Sequence, residues 1–491
     1  MVLRRSEIIP AVYKLAQKRK EEVYLVGGAV RDFLLEKPLG KDFDFVLPGN
    51  TAGLAKELAR HMEGTAFLLD DAFGTWRVVI KKAEGKAEVD FCAMQGGDIV
   101  ADLRQRDFTV NSLAIRLAEI FQMEKPLIID PLGGLSDLRK GILRANSEES
   151  LRQDPLRMLR AFRFAYTLGM KIEEETLGMI RRNSSLILKA AGERVRSEFF
   201  AALQENQAGR FLRDLGQTGL LRELFPEIAE WEQLNQGSHH DFPLLEHAFR
   251  TVEAGEFILA HLQDFYPSYA QSLEQHFGQV LEDGISRKAL FKAACFFHDS
   301  GKPHTRSQGP DSTAIRFLDH DQEGQKINTL ITRRLKLSRK SIRILSELTR
   351  QHMRIQSLAK TENITPRAKY RFFRELKQEG IEMILLAIAN ALGSRKIVLQ
   401  FNLFPDLPEE TKRIKEVGEE ILHYYFEEYF PKPPGLFLNG KEIMKTLNLP
   451  QSSQVGRLLG LLREAEINGK IRSREEALEF IKNIDISKPL G

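Results

Sequence analysis

Residues 23–46 read VYLVGGAVRDFLLEKPLGKDFDFV, and this stretch decides the first part of the fold. An apolar run at residues 23–26 ends at Gly27 and Gly28, and the helix-like AVRDFLLE follows. A second apolar run then carries Asp42 and Asp44, which are separated by one residue. Because side chains alternate between the two faces of a strand, both carboxylates are predicted to project from one sheet face.

The two features have complementary chemistry. Adjacent carboxylates repel each other unless a cation lies between them, and oxygen ligands suit Mg²⁺. Paired glycines before a helix allow close approach of phosphate to backbone N–H groups. A phosphate cradle beside a metal-binding acidic pair predicts nucleotidyl transfer. That reaction needs one cation to lower the pKa of the attacking 3′-hydroxyl and another to hold the triphosphate.

Each feature alone has an ordinary explanation, because a lone acidic strand is usually a solvated edge and a lone Gly-Gly a turn. In this order and spacing, LVGG-x-VRD-x-LL followed by D-x-D resembles the nucleotidyltransferase signature of the DNA polymerase beta superfamily. More narrowly, it is similar to motif A of the class II CCA-adding enzymes and poly(A) polymerases. The resemblance implies that Asp42 and Asp44 are catalytic Mg²⁺ ligands and that Gly27, Gly28 and Arg31 bind the nucleotide.

A third carboxylate is usual in that superfamily, on a neighbouring strand. Asp90 in AEVDFCAM is the candidate, and Glu88, on the same strand face, is the reserve. An exposed strand acid without a catalytic role is an equal alternative for both.

The segment QRDFTVNSLAI (105–115) resembles motif B of the same family. The resemblance implies that Arg106 lies near the triphosphate, Asp107 near the ribose, and Asn111 at the turn or the sugar. Gln105 stands where a first arginine is common in the family. DPLGGLSDL (130–138) matches motif C, which is expected to be structural.

The segment SLRQDPLRMLRAFRF (150–164) matches motif D, and ERVRSEF (193–199) matches motif E. On the predicted helix, Asp154 and Arg157 are three positions apart and therefore neighbours on one face. A carboxylate and a guanidinium presented edge-on complement the Watson–Crick edge of a base. The resemblance implies that this pair selects the nucleotide in place of a nucleic-acid template, although an ordinary helical ion pair is the commoner arrangement. Arg160 and Arg163 are further candidates for contact with triphosphate or RNA.

Between Met94 and Arg106 the chain has only QGGDIVADLRQ. CCA-adding and poly(A)-adding relatives have a longer loop here, and CC-adding relatives have a short one. The resemblance therefore predicts that this enzyme adds the two cytidines from CTP and that a separate enzyme adds the terminal adenosine from ATP.

FFHDSGKP (296–303) resembles an HD domain, in which histidines and aspartates from several helices bind a divalent metal. The resemblance implies a possible second metal site at His247, His298 and Asp299. His320 and His352 stand where such domains often have further ligands, whereas Asn390 replaces the closing aspartate. His239 and His240 are expected to be loop residues.

Bulk composition describes a folded protein of several domains. The chain has 491 residues, 42% apolar and 29% charged, with a net charge of +4, so nucleic-acid affinity requires local basic patches. Two cysteines, Cys92 and Cys295, cannot form a disulfide framework or zinc site. No apolar stretch approaches a membrane span of ~18 residues, and a cytoplasmic location is expected.

The predicted class is α+β, with a small polymerase-beta-like head followed by helices. The expected divisions are a nucleotidyltransferase head at 1–145, a helical neck at 146–235, an HD domain at 240–395 and a helical tail contacting tRNA at 396–491.

The favoured function is addition of cytidines to the tRNA 3′ end from CTP with Mg²⁺. A complete CCA-adding enzyme and a poly(A) polymerase are the alternatives within the family. An HD phosphohydrolase with a dead transferase domain and a noncatalytic RNA-binding protein are the alternatives of other classes.

Overall fold

Seven short strands near the start of the chain form one mixed sheet. The computed structural model describes residues 2–71, 74–82, 85–237, 240–308, 315–400, 403–429, 437–467 and 470–484. The strands are β1 (Tyr24–Val26), β2 (Asp42–Leu47), β3 (Thr65–Asp70), β4 (Thr75–Lys82), β5 (Gly85–Ala93), β6 (Ala114–Arg116) and β7 (Ile128–Ile129). Their order is β3-β4-β5-β2-β1-β6-β7, and only β2 and β5 are parallel neighbours.

Helices connect and cover these strands. They are α1 (Ile8–Arg19), α2 (Gly28–Leu34), α3 (Thr51–His61), α4 (Ile99–Arg104), α5 (Leu117–Gln122) and α6 (Gly134–Lys140). Helix α3 packs against β3, β4 and β5. Phe45 of β2 and Phe91 of β5 are fully buried and stack with ring centroids 5.5 Å apart. Apolar side chains thus fix the β2–β5 pairing and turn the alternate, acidic positions of both strands to the other face.

The chain then becomes almost wholly helical, as its apolar spacing of three and four predicts. The next helices are α7 (Glu148–Gln153), α8 (Leu156–Leu168), α9 (Glu174–Asn183), α10 (Gly192–Gln204), α11 (Ala208–Gln217) and α12 (Leu220–Leu224). The two-residue strands β8 (Ile142–Leu143) and β9 (Lys171–Ile172) pair in parallel.

The later part is also helical, with two small hairpins. Its helices are α13 (Leu244–Ala260), α14 (Leu262–Phe265), α15 (Ala270–Phe277), α16 (Arg287–Phe297), α17 (Lys302–Thr305), α18 (His320–Arg334), α19 (Arg339–Gln351), α20 (Arg354–Ala359), α21 (Pro366–Leu376), α22 (Gly380–Gly393), α23 (Glu409–His423), α24 (Gly440–Leu447), α25 (Ser453–Ile467) and α26 (Arg474–Lys482). The hairpins are β10 (Val280–Glu282) with β11 (Ile285–Ser286), and β12 (Arg306–Gln308) with β13 (Ile315–Phe317).

The chain divides into two compact units. The first comprises residues 1–205 and 213–226, and the second comprises residues 206–212 and 227–491. Within the second, α24, α25 and α26 enclose a small apolar core of their own that includes Leu462 and Ile481. The predicted α+β class is confirmed, whereas the predicted four-part division stays a prediction. In the described residues, no helix is both long enough and apolar enough to cross a bilayer.

Candidate active site

The two predicted metal ligands lie on one face of β2, beside the paired glycines. Val26, the last residue of β1, is the register partner of Asp44, so the chain reaches Gly27 directly next to that carboxylate. A Cβ atom on Gly27 would lie 3.2 Å from Asp44 Oδ2 and 3.5 Å from Arg106 Nη1. Gly27 also has a φ of 68°, at which a residue with a side chain would be strained. Glycine at this position therefore lets the acidic pair, the turn and Arg106 meet.

The two glycines differ in the hydrogen bonds that they can offer. The N–H of Gly27 donates to the carbonyl of Leu113 at 3.3 Å. The sequence predicted that both glycines could offer their N–H groups to phosphate, but that of Gly27 is already bonded. Gly28 is the first residue of α2, where backbone N–H groups lack a partner in the helix. Of the pair, Gly28 is thus the residue able to donate to a phosphate.

Twelve of the predicted site residues line a single cavity of about 610 Å³. They are Gly27, Gly28, Arg31, Asp42, Asp44, Arg106, Asp107, Asn111, Asp154, Arg157, Arg160 and Arg163. Motifs separated by more than a hundred residues in the chain therefore meet around one space. Two carboxylates lie at one part of it, and five arginines supply positive charge for a polyanionic ligand.

Asp90 is placed differently. It is the register partner of Asp44 across the parallel β2–β5 pair, so it shares the acidic face. Both of its carboxylate oxygens, however, accept hydrogen bonds from Arg77 at 2.8 Å, and Asp90 is not among the residues lining the cavity. Glu88, the reserve candidate, also pairs with Arg77, at 2.6 Å. Sequence reasoning did not identify this arginine, which lies on the neighbouring strand β4 opposite Asp90.

Burial makes the acidic pair costly to ionise. Burial, together with the negative charges of Asp90 and Asp42, raises the pKa of Asp44, and the nearby Arg106 opposes this rise. Burial and then Glu88 raise the pKa of Asp42. Within the described residues, neither carboxylate has a hydrogen bond or ion pair. Two same-facing carboxylates whose charges lack partners are a donor set that fits a divalent cation.

Asp107 anchors a chain of polar side chains around the cavity. Its Oδ2 accepts hydrogen bonds from Arg160 at 2.9 and 3.1 Å, and its Oδ1 accepts one from Asn111 at 3.2 Å. Asn111 in turn accepts from Arg31 Nη1 at 2.7 Å. Burial alone would raise the pKa of Asp107, but Arg160, Arg157 and Asn111 outweigh it and lower that pKa. This series of hydrogen bonds fixes Arg31 and Arg160 in place at the cavity wall.

Phe164 is a cavity residue that sequence reasoning did not single out. The guanidinium carbons of Arg163, Arg160 and Arg31 lie 4.1, 5.2 and 5.3 Å from the centre of its ring. Cation–π attraction to one ring helps to hold three like charges close together. Glu198 adds a carboxylate that pairs with Arg160, at 3.4 Å, and with Arg163.

The expectation that Asp154 and Arg157 share one helix is wrong. Asp154 ends α7 in an extended conformation, with φ −131° and ψ 91°, and α8 begins only at Leu156. The reason is Pro155, since the residue before a proline is driven out of the helical region. Asp154 pairs with Arg194 at 2.8 and 3.2 Å instead of with Arg157.

Arg157 is held by backbone. Its Nη1 donates to the carbonyls of Gln105 at 2.9 Å and Ser150 at 3.2 Å. Burial lowers the pKa of this guanidinium. Both members of the predicted base-selecting pair line the cavity, but each is positioned independently of the other.

The connection between β5 and α4 is short, as the sequence predicts. Strand β5 ends at Ala93 and α4 begins at Ile99, so only residues 94–98 lie between them. Gly96 and Gly97 have φ values of 74° and 96°, and Asp98 caps α4 by accepting from the N–H of Ala101 at 2.7 Å.

Two family models match parts of this chain. The family model described as the poly A polymerase head domain matches residues 23–144, and the model for a probable RNA- and SrmB-binding site of polymerase A matches residues 169–232. An A-adding tRNA nucleotidyltransferase of Deinococcus radiodurans is 33% identical over 465 residues, which cover 93% of this chain and 94% of that protein. The chain belongs to the CCA-adding tRNA nucleotidyltransferase family.

Other relatives of this nucleotidyltransferase carry different names. A CC-adding tRNA nucleotidyltransferase of Geobacter sulfurreducens is 30% identical over 466 residues, covering 95% of this chain and 93% of that protein. The solved Thermotoga maritima CCA-adding enzyme complexed with tRNA has a similar fold, with a TM-score of 0.58, 21% identity and coverage of 96% and 94% of the two chains. The predicted family and enzyme class are confirmed. Members of the family generally use a divalent metal.

The second unit of the nucleotidyltransferase contains a buried histidine–aspartate cluster. Asp299 Oδ2 lies 3.1 Å from His298 Nε2 and 3.4 Å from His247 Nε2. Its Oδ1 lies 3.5 Å from His320 Nε2 and 3.4 Å from His352 Nε2. The three residues named as a possible metal site thus come together, and the two further histidines join them through the same carboxylate.

A lysine already neutralises one side of this cluster. Lys302 Nζ donates to Asp299 Oδ2 at 2.6 Å and to Gln236 Oε1 at 2.7 Å. Asp299 Oδ1 is buried and has no hydrogen-bond partner among the described residues. Burial opposes ionisation of Asp299, but His298 and Lys302 outweigh it and hold its pKa well below the usual range. The donor set at Oδ1, with His320 and His352, fits a transition-metal ion best.

The sequence analysis also singled out Asn390 and the His239–His240 pair near this cluster. Asn390 is buried on α22, and its Oδ1 accepts from Ser394 Oγ at 3.5 Å. His240 lies outside the helices and strands, yet its ring is 4.8 Å from that of His247, and burial lowers its pKa to about 2. His239 lies outside the described residues.

Proposed function

We propose that this chain adds the two cytidines of the CCA end to tRNA, using CTP and Mg²⁺. The observation that carries the proposal is the single cavity in which an acidic pair, a glycine turn, several arginines and the Asp154–Arg157 pair converge. Metal ligation, triphosphate binding and base selection need these groups within one nucleotide's length.

Asp42 and Asp44 would hold Mg²⁺, which supplies charge neutralisation and activation of the 3′-hydroxyl when bound. Gly28 would donate its N–H to a phosphate oxygen. Arg106, Arg160 and Arg163 would bind the triphosphate, since guanidinium groups match phosphate geometry. Asp90 is better suited to shaping the field at Asp44 than to ligation, because it pairs with Arg77 and, unlike Asp154, does not line the cavity.

Asp154 and Arg157 would read the base. Held apart by Arg194 and by backbone carbonyls, they present an acceptor and donors at fixed positions. Cytosine offers an amino donor beside acceptors along its Watson–Crick edge, and this pattern complements a carboxylate next to a guanidinium. A fixed protein edge explains selection without a nucleic-acid template.

The CC subtype is supported by the short connection at residues 94–98 and by the CC-adding relatives. A relative of similar identity is named A-adding, and others are named multifunctional CCA proteins, so these activities are the alternatives. If the subtype is correct, a separate A-adding enzyme would complete the CCA end.

The deciding experiment sizes the products made on tRNA that ends before CCA and on tRNA that ends in CC. With CTP, the first substrate should gain two nucleotides and stop, even when ATP is present. If the protein adds one adenosine to tRNA that ends in CC and adds nothing to tRNA that ends before CCA, it is an A-adding enzyme instead. Three additions from mixed nucleotides would indicate a complete CCA enzyme, and a long adenosine ladder a poly(A) polymerase.

Matched variants test the assigned chemistry. Asp42→Ala and Asp44→Ala should abolish incorporation and leave tRNA binding intact, because only the metal ligands are lost. Asp70→Ala is the control, since Asp70 is an exposed aspartate at the end of edge strand β3 in the same sheet. Incorporation by Asp44→Ala at the wild-type rate would refute the transferase mechanism.

The Asp299 cluster supports a second candidate activity, a metal-dependent phosphohydrolase in the second unit. Five converging ligand groups with a buried, unpartnered Oδ1 favour it. The test is release of inorganic phosphate from a nucleoside 2′-phosphate in the presence of Mn²⁺ or Ni²⁺, with Asp44→Ala as the background so that transferase chemistry is silent. No metal-dependent release would leave the cluster without this activity.

A further inference from the structure

Asp102 is a buried carboxylate that no recognised motif assigns to the reaction. It lies on α4, is only 5% exposed, and does not line the cavity. Its Oδ2 accepts from Arg106 Nε at 3.1 Å, and its Oδ1 accepts from the backbone N–H of Gln95 at 3.1 Å. Asp102 thus joins the connection that follows β5 to the arginine assigned to the triphosphate.

Arg106 is fixed from both ends. The backbone carbonyl of Arg106 accepts from Asn146 Nδ2 at 3.0 Å, while Asp102 binds the Nε of its side chain. This leaves the terminal nitrogens to face the cavity, with Nη1 lying 3.5 Å from where a Cβ on Gly27 would be. Asp44 Oδ2 lies 3.2 Å from the same point. The guanidinium and the metal-binding carboxylate therefore approach one turn from two sides.

In this arrangement Arg106 could form an ion pair with Asp44, and Asp102 competes with that ion pair. A guanidinium near a partly buried carboxylate gains energy by pairing with it directly. If Arg106 swung onto Asp44, it would occupy an oxygen that Mg²⁺ needs and would withdraw from the triphosphate. A second carboxylate at Nε opposes that movement by geometry and by charge.

We propose that Asp102 is a positioning residue that holds Arg106 toward the nucleotide and away from Asp44. The inference rests on the proposed transferase function. It also gives the short connection a physical route to the nucleotide, because Gln95 orients the carboxylate that orients Arg106. Gly96 keeps this turn tight, since a Cβ there would lie 2.7 Å from that of Ala101.

The test compares Asp102→Ala and Asp102→Asn with the wild type. The readouts are KM for CTP, kcat, and the Mg²⁺ concentration that gives half-maximal rate. Loss of a charge-assisted hydrogen bond should raise both KM and the Mg²⁺ midpoint by about tenfold in the alanine variant. The asparagine keeps an acceptor for Gln95 and should lie between. Asp98→Ala is the matched control, because it removes a cap from the same helix without touching Arg106.

A double-mutant cycle separates positioning from general support of the fold. In an Arg106→Gln background, Asp102→Asn should change neither KM nor the Mg²⁺ midpoint further, since its route of action is gone. The inference would be overturned if the effects of the two substitutions on KM multiplied in the double variant. It would also be overturned if Asp102→Asn lowered kcat but left KM and the Mg²⁺ midpoint unchanged. If Asp102→Ala does not fold, the asparagine variant and its cycle decide.

The outcome is distinct from failure of the function itself. If wild-type protein incorporates ATP but not CTP, the same constants are measured with ATP and the inference stands or falls on them. If wild-type protein incorporates neither, the transferase proposal fails before Asp102 is tested.

Discussion

At the scale of single residues, the site shows a conflict between stability and chemistry. Asp44 is half-buried, carries no hydrogen bond or ion pair among the described residues, and has neighbours of its own charge. In the absence of metal, each of these features disfavours the folded state in which Asp44 is ionised. At neutral pH a bound cation removes the conflict, and such a conflict is typical of residues retained for function.

We therefore expect Asp44→Asn to stabilise the metal-free protein at neutral pH. Because the pKa of Asp44 is raised on folding, its ionised form destabilises the fold at pH values above the ordinary pKa of 3.8. The substitution removes this destabilising charge and should raise Tm by about 2 °C, the change typical of ~1 kcal/mol in a unit of this size.

Calorimetry in chelator at pH 7.5 and near pH 4 measures this effect. The gain should shrink toward pH 4, because the folded carboxyl takes up a proton as the pH falls through its raised pKa and no longer has to be ionised in the fold. Addition of Mg²⁺ should raise the Tm of the wild type more than that of the variant. A variant less stable than wild type in chelator at pH 7.5 would contradict the assignment of strain to Asp44.

Residue-level reasoning from sequence succeeded where the signal was local. The shared face of Asp42 and Asp44 follows from strand alternation alone, and Gly27 follows from the need for a turn beside them. The partners of the site were not visible in this way. Arg77 captures Asp90 from another strand, and Arg194 captures Asp154 from 40 positions further along the chain.

At the scale of elements, the break between α7 and α8 sets the position of Asp154 in the proposed base-selecting edge. The sequence has helical spacing on both sides, and this hid the interruption. Pro155 supplies it by forcing Asp154 into an extended conformation. That conformation turns the carboxylate to Arg194 instead of along the helix toward Arg157.

Pro155→Ala should therefore weaken nucleotide binding without unfolding the protein. With the restriction gone, residue 154 can enter the helical region and α7 can merge with α8, which would carry Asp154 away from Arg194. We expect KM for the incorporated nucleotide to rise about tenfold, the loss that accompanies ~1.4 kcal/mol of binding energy.

Steady-state kinetics and far-UV circular dichroism check this prediction. Pro366→Ala is the control, because Pro366 is likewise a proline at a helix start, as the first residue of α21 in the other unit. A variant with unchanged KM would show that Arg194 alone keeps Asp154 extended.

At the scale of the whole molecule, each of the two compact units contains its own cluster of metal-ligand type. The first contains Asp42 and Asp44, and the second contains the cluster around Asp299. The fold class was readable from the change of periodicity near residue 148, since that signal is repeated over many residues. The division into units was not, because its boundary at residues 212–213 falls inside α11, where the helical spacing of the sequence continues without a break.

Two clusters in two units predict that metals act on separable unfolding transitions. Burial lowers the pKa of His247 to about 4 and also lowers that of His320, so both imidazoles are neutral and able to ligate at pH 7. Mn²⁺ at a hundred times its dissociation constant should stabilise the second unit by about 2.7 kcal/mol. His320→Ala should abolish this shift, whereas His304→Ala, at an exposed histidine outside the cluster, should not.

The pH dependence of the metal-free protein gives an independent check on the same transition. An unfolded histidine binds a proton near pH 6.5, but the folded His247 binds one only near pH 4. The unfolded state therefore holds more protons between these values, so the stability of the second unit should fall as pH drops from 6.5 to 4. Differential scanning calorimetry resolves the transitions. A single transition that Mn²⁺ and Asp44→Asn move together, or a full Mn²⁺ shift in His320→Ala, would refute separate sites.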